Sequence, residues 1–260
     1  MKKRDTQEIF RNATNIIVYI VFVIYGGSIL LKWNSLALQI GFGSFMALCL
    51  FIAIFYDILR YHNRQAVIAM NFTLDDARAR KHRDFVAKYD FFKSYTLNLL
   101  ILDLHFAQNE QDAAKMNALL EKGEKRLRRS IDTLLVYYYN MFIMNILLPN
   151  KTQARAFYDK FVDLRGVKIK GGKLSEVYNW DAAEAELHLL NNDGKKARAC
   201  LQNVNLKFMN KREQAYVLFA KYRAAKLIGD ADGQRKMKEE LKRDYPIEGL
   251  IRKINEGDKS

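Results

Sequence analysis

Two runs near the start of the chain decide its architecture: Asn12–Leu31 reads NATNIIVYIVFVIYGGSILL, Asn34–Tyr56 reads NSLALQIGFGSFMALCLFIAIFY, and neither contains a charged residue. A bilayer core requires about 20 mostly apolar residues in helical form, and both runs reach that length. The alternative, a pair of buried core helices in a soluble domain, fits poorly with two such long runs in succession. Only Lys32 and Trp33 lie between them, so the second helix must return antiparallel to the first, with a tryptophan suited to the membrane interface. Lys2, Lys3, Arg4 and Arg11 precede the hairpin, Arg60 and Arg64 follow it, and the turn holds Lys32. Lysine and arginine favour the cytoplasmic side. The expectation is a two-span protein of the cell membrane with both termini cytoplasmic. The first run is not read as a signal peptide, because no small-x-small cleavage site precedes a polar mature chain. The sequons at Asn12, Asn71 and Asn150 therefore carry no weight.

Small residues cluster in both runs: Gly26, Gly27 and Ser28, then Ala37, Gly41, Gly43, Ser44 and Ala47. Ala37/Gly41 and Gly43/Ala47 have the small-xxx-small spacing that lets helix backbones approach in lipid. Packing of the hairpin on itself and homodimerisation both use such residues. No ionisable residue interrupts either run, which argues against an ion or proton pathway.

Beyond Tyr56 the chain reads like a soluble protein. It has two prolines and 13 glycines in 260 residues, a scarcity that favours uninterrupted helices. The net charge is +14. The first 56 residues hold Lys2, Lys3, Arg4, Arg11 and Lys32 against Asp5 and Glu8, so most of the excess lies in residues 57–260. A basic surface suits an anionic leaflet, nucleic acid or acidic peptides, and a lysine-rich soluble surface looks the same. Cys49 and Cys200 make neither a disulfide framework nor a zinc motif.

Apolar residues recur at helical spacing, as in Leu97, Leu100, Ile101 and Leu104, and no alternating run suggests a sheet. The second apolar helix is expected to continue to about Met70. Thr73 reads as an N-cap, with Asp76 as the acidic partner three residues on, for a helix to about Lys88. Further helices are expected over 91–108, 111–127, 131–148, 151–165, 175–191, 194–205, 211–228, 231–243 and 247–255. The implied organisation is a basic segment 1–11, a hairpin 12–56, a juxtamembrane helical linker 57–88 and a helical domain 89–260.

The domain contains internal echoes. LHFAQNEQDAAKMNALL from Leu104 and LHLLNNDGKKARACLQNV from Leu187 share an apolar helix end, an Asn/Asp-rich turn and a second helix with early alanine. Between them lies LLPNKTQARAFYDKFV from Leu147, whose Ala154-Arg155-Ala156 matches Ala197-Arg198-Ala199 at an offset of 43. AAKLIGDADGQRKMKEEL from Ala224 forms a fourth copy. This period suits two-helix solenoid units. The pattern resembles a degenerate tetratricopeptide repeat over about Asp90–Pro246, best at Ala185–Val204 and next at Ala215–Pro246. Spacings are irregular, and most consensus small and aromatic positions are missing. The resemblance implies an all-α fold: a cytoplasmic α-solenoid of TPR-like hairpins behind the membrane hairpin, whose concave face binds peptides or proteins.

No catalytic or cofactor motif emerges. His62, His82, His105 and His188 stand in no metal-binding spacing, and structural roles for them outweigh ligand roles. The loop Gly166–Ser175 resembles a phosphate loop but fails, since Gly172 displaces the lysine and Leu174 follows it. Carboxylate pairs such as Glu184/Glu186 do not share a helix face. The expected function is binding rather than catalysis, with no cofactor.

Two residue sets are candidates. Tyr95/Asn98 and Tyr137/Asn140 repeat a Tyr-x-x-Asn pattern at an offset of 42, and Tyr178-Asn179 falls nearly one period later. On successive first helices these side chains would either hold an extended peptide or pack the repeats, and the packing reading outweighs the other. The second set, candidate contacts for an anionic surface, comprises Arg78, Arg80, Lys81 and Arg83, then Arg126, Arg128 and Arg129, then Lys168, Lys170 and Lys173. No aromatics interleave with these runs to stack bases, which makes nucleic acid the weaker partner beside anionic lipid. The leading expectation is a membrane-anchored scaffold that recruits a cytoplasmic or membrane protein.

Overall fold

The computed structural model describes residues 2–169, 172–173 and 177–257. The chain is helical and divides into two compact units after Tyr61.

In the first unit, α1 (Lys2–Leu30) and α2 (Leu36–Ile68) form a hairpin; α2 belongs to this unit as far as Tyr61. The carboxamide of Gln39 closes the turn by donating to the carbonyls of Trp33 at 2.6 Å and Leu30 at 3.2 Å. Lower down, Tyr19 and Asn15 of α1 both donate to the Asp57 carboxylate of α2, at 2.5 and 3.0 Å. Gly26 sits against Met46 so closely that a β-carbon would overlap its sulfur, the close approach for which small residues are suited. Both helices are long and apolar enough to cross a membrane. Their outer faces are bare hydrocarbon: Ile24 and Phe51 are each 67% exposed.

The second unit begins at His62. A π turn, Ala69–Thr73, ends α2, and Leu74 takes a left-handed conformation. The cap of α3 (Asp76–Tyr89) is Asp75, which accepts from the Arg78 amide, whereas the Thr73 hydroxyl donates back to Ala69. The extra π-turn residue moves the start of the helix past the expected Thr73. Ala79 and Val86 of α3 are fully buried, so residues 62–88 belong to the body of this unit.

Four helical hairpins follow: α4 (Thr96–Asn109) with α5 (Ala113–Leu127), α6 (Ile131–Leu147) with α7 (Lys151–Val162), α8 (Trp180–Leu190) with α9 (Gly194–Gln202), and α10 (Lys211–Ile228) with α11 (Ala231–Asp244). Their turns are built alike. Asp112, Asn150, Asp193 and Asp230 each cap the second helix by accepting the amide three residues on. Each of these four donates its own amide to a carbonyl five residues back, at 2.9 to 3.0 Å. In three of the turns the preceding residue, Gln111, Asn192 or Gly229, is left-handed, the geometry that satisfies the last carbonyls of a helix. A short α12 (Glu248–Gly257) closes the chain.

Two helices start later than the periodicity suggests. Asp90 accepts from the amides of Ser94 and Tyr95, at 2.9 and 2.7 Å, making a turn of 91–95. Asn179 caps α8, so that helix starts at Trp180 instead of 175. In the Gly166–Ser175 segment, Lys168–Ile169 pairs antiparallel with Gly172–Lys173.

Candidate functional site

The first helices of the four hairpins surround a cavity of about 640 Å³. Ile101, His105 and Gln108 of α4 line one wall, Val136, Tyr139 and Ile143 of α6 the next. Ala182 and Glu186 of α8 and Arg212, Tyr216 and Val217 of α10 complete the walls, and residues 205–210 form part of the rim. Two rim side chains, Phe208 at 89% and Val177 at 50% exposure, turn hydrocarbon towards solvent.

One polar cluster fixes α10 against α4. Arg212 is buried, yet its guanidinium donates to Asn109 Oδ1 at 2.9 Å and Gln108 Oε1 at 2.5 Å. The Tyr216 hydroxyl donates to the same Asn109 oxygen at 3.2 Å, and the Asn109 amide reaches Asp76 of α3 at 3.2 Å. Burial pushes the Asp76 carboxyl up, opposed by the Asn109 hydrogen bond and by the charges of Arg80 and Arg212. A buried cation needs such partners, because charge removed from water is costly unless hydrogen-bonded.

The remaining titratable groups at the cavity are held in place. Glu186 accepts from Arg223 at 2.7 Å. Glu213 accepts from the Asn210 amide, completing a capping box for α10. Burial raises the hydroxyl pKa of Tyr139 and Tyr178 well above the ordinary phenol range, and that of Tyr216 to about 12. His105 is driven well below its ordinary pKa by burial and by Arg212, so its imidazole is neutral. Its Nδ1 is buried without a hydrogen-bond partner.

Of the Tyr/Asn candidates, Tyr178 and Asn179 line the cavity. Tyr178 stacks on Tyr139 with centroids 3.7 Å apart and takes a hydrogen-bond interaction from Asn140, while Asn179 caps α8. Asn140 itself is buried and donates to the Val136 carbonyl at 2.8 Å. Tyr137 is buried towards α5, its hydroxyl donating to Glu124 at 3.4 Å. Tyr95 occupies the N-cap position of α4 without a capping side-chain bond and Asn98 is exposed, neither at the cavity. The ladder therefore does not form: first helices start 35, 49 and 31 residues apart, so equal sequence offsets do not mean equal positions. Tyr139, not Tyr137, faces inward because two residues rotate a helix position by about 200°.

The basic candidates fall on separate elements. On α3, Arg83 binds Asp103 of α4 through two nitrogens, at 2.8 and 2.6 Å, and its pKa is raised by that contact. Arg80 pairs with Glu110 and lies over the Phe106 ring, and Arg78 donates to Gln65 at 3.0 Å. Three of the four candidate cations on α3 thus join parts of the fold, and Lys81 is exposed. Arg128 pairs with Glu124 at 2.8 Å, and Arg126 and Arg129 are exposed at the end of α5. Lys168 and Lys173 are register partners in the two-residue pair; Lys170 lies outside the described residues.

Sequence reasoning missed Gln108, Asn109 and Arg212. The two amides looked like turn residues. Arg212 carried a signal, since a cation in the first turn of a helix opposes the macrodipole and calls for a partner. Among the described residues, Glu184, His188 and Cys200 bring donor atoms within 4.8 Å of one another. Burial and the neighbouring carboxylates of Glu184 and Asp181 push the Cys200 thiol up. Compared with known proteins, the chain matches no family model, no curated sequence and no solved structure.

Proposed function

We propose that this protein is a membrane-anchored interaction scaffold. In this reading α1 and α2 span the bilayer as a hairpin with both termini cytoplasmic. The hairpins from α4 to α11 act as a TPR-like solenoid that recruits a cytoplasmic partner by an extended segment. The observation that carries the reading is the cavity enclosed by first helices of hairpins with one shared turn design.

Three features support it. Bare hydrocarbon on α1 and α2 is unfavourable in water and suits an acyl environment. The cavity mixes apolar wall with amide and hydroxyl groups, the combination that holds peptide backbone between side-chain pockets. Its acids, Glu186 and Glu213, are engaged in an ion pair and a helix cap, which favours binding over acid–base chemistry.

The test is site-specific photocrosslinking in native membranes. A photoreactive amino acid at Phe208, on the cavity rim, should trap a reproducible partner. Ala182→Phe, which narrows the cavity, should reduce that product at least about tenfold while leaving thermal unfolding nearly unchanged, since the group enters empty space. A product of equal yield with and without Ala182→Phe would overturn the cavity as the docking site.

A further inference from the structure

Three side chains of the third hairpin converge away from the cavity. Glu184 and His188 stand four residues apart on α8, so they share one face of that helix. Cys200 comes from α9. One carboxylate oxygen, one imidazole nitrogen and the sulfur all lie within 4.8 Å of one another. Glu186, which lines the cavity, is two residues from both Glu184 and His188, and two residues turn a helix position by about 200°. The cluster therefore belongs to a different side of α8 from the cavity.

Local charge favours a cation there. Asp181 precedes Glu184 by three residues on the same face of α8. Burial, then Glu184 and Asp181, push the Cys200 thiol up, which places both carboxylates near the sulfur. Among the described residues neither carboxylate forms an ion pair with a lysine or arginine. The ion partner of Glu184 is His188 at 3.8 Å, too far for a hydrogen bond.

We propose that Glu184, His188 and Cys200 bind a divalent transition-metal ion of the zinc type, with water in the fourth position. Mixed sulfur, nitrogen and oxygen donors suit zinc, whereas magnesium and calcium take oxygen alone. Donors of a tetrahedral zinc site stand roughly 3.3–3.8 Å apart, so the widest gap here has to close by no more than about 1.5 Å. The Glu184 side chain is 48% exposed and free to rotate inward. On binding, the S–H bond breaks, the proton leaves to solvent, and the sulfur ligates as thiolate. The ion ties α9 to α8. That link has a structural use, because α9 has nine residues against 12 to 15 in the other second helices, and so short a helix is not stable alone in water. The site does not depend on reading the cavity as a peptide site.

The test uses the full reduced chain in detergent, with Cys49→Ser so that Cys200 is the one remaining thiol. The probe is Co²⁺, whose ligation by thiolate gives a charge-transfer band in the near ultraviolet and, in tetrahedral geometry, intense visible bands. One Co²⁺ per chain should give both. Zn²⁺ should displace it and raise the melting temperature, as any ligand of the folded state does. Cys200→Ser should remove the charge-transfer band and the melting shift. His188→Gln should weaken Co²⁺ binding at least about tenfold, since even residues that only support a metal ligand contribute that much. Without metal both variants should melt close to the parent, because Cys200 and His188 are only partly buried, and this separates loss of binding from loss of fold. Absence of the charge-transfer band in the parent overturns the site. A band that persists in Cys200→Ser, or affinity unchanged in His188→Gln, places the metal elsewhere and overturns it as well.

Discussion

Arg212 Nε donates to Asn109 Oδ1 at 2.9 Å across 103 residues of sequence. This contact joins the fourth hairpin to the end of the first on one side of the cavity. Around it, Gln108, Tyr216 and Asp76 satisfy the same buried groups.

Substituting Arg212 should therefore cost more than a surface arginine. Arg212→Ala leaves the Gln108 and Asn109 acceptors short of donors in a buried setting, with an expected loss of about 2–3 kcal/mol of unfolding free energy. Denaturant unfolding of the detergent-solubilised chain measures it. In a cycle with Asn109→Ala the two losses should fall well short of additive. Additive losses would mean that the residues act separately.

Gly249 of α12 approaches the same spot. A β-carbon there would stand 2.0 Å from the Asn109 carbonyl oxygen, a backbone atom. Gly249→Ala must displace α12 or the end of α4, at an expected cost of about 1–3 kcal/mol. Gly27, with nothing nearby, serves as the comparison. Equal stability of Gly249→Ala and wild type would show that α12 does not pack here.

Acid should weaken the helical unit. Burial lowers the pKa of His62, His82 and His105 from 6.5, with help from His62, Arg78 and Lys81 at His82 and from Arg212 at His105. The unfolded chain then binds more protons below about pH 6.5, so stability falls as pH drops through that value and levels off only below each folded pKa. Asp76 works in the opposite sense at lower pH, because its raised pKa lets the folded state take up a proton first. The melting temperature should decline between about pH 7.5 and 5.5, and His105→Gln should flatten the decline. A flat profile in the wild type would contradict the assignment.

Topology has a direct readout. With Cys49 and Cys200 replaced, Ser260→Cys should escape an impermeant thiol reagent applied to intact cells and react after lysis. Ser35→Cys, in the turn between the apolar helices, is the position expected to be reached from outside. Strong labelling of position 260 in sealed cells would reverse the orientation and remove the cytoplasmic recruiting role.

What the sequence determined by itself is local. Uncharged runs of the required length specify α1 and α2, and the Asp or Asn before each second helix specifies its cap, because both depend on residues within one or two turns. The turns at Asp112, Asn150, Asp193 and Asp230 were legible for that reason. Even local reading slipped where a side chain reaches past its neighbour, as at Asp75 in place of Thr73 and in the Asp90 turn. The tertiary structure alone decided which side chains face the cavity. Unequal connections between hairpins break the sequence offset, so Tyr139 and Tyr178 meet while Tyr95 and Tyr137 point elsewhere. It alone decided the bond between Arg212 and Asn109 as well. The distance between two helix ends 103 residues apart is the sum of every packing angle between them, and no local pattern encodes that sum.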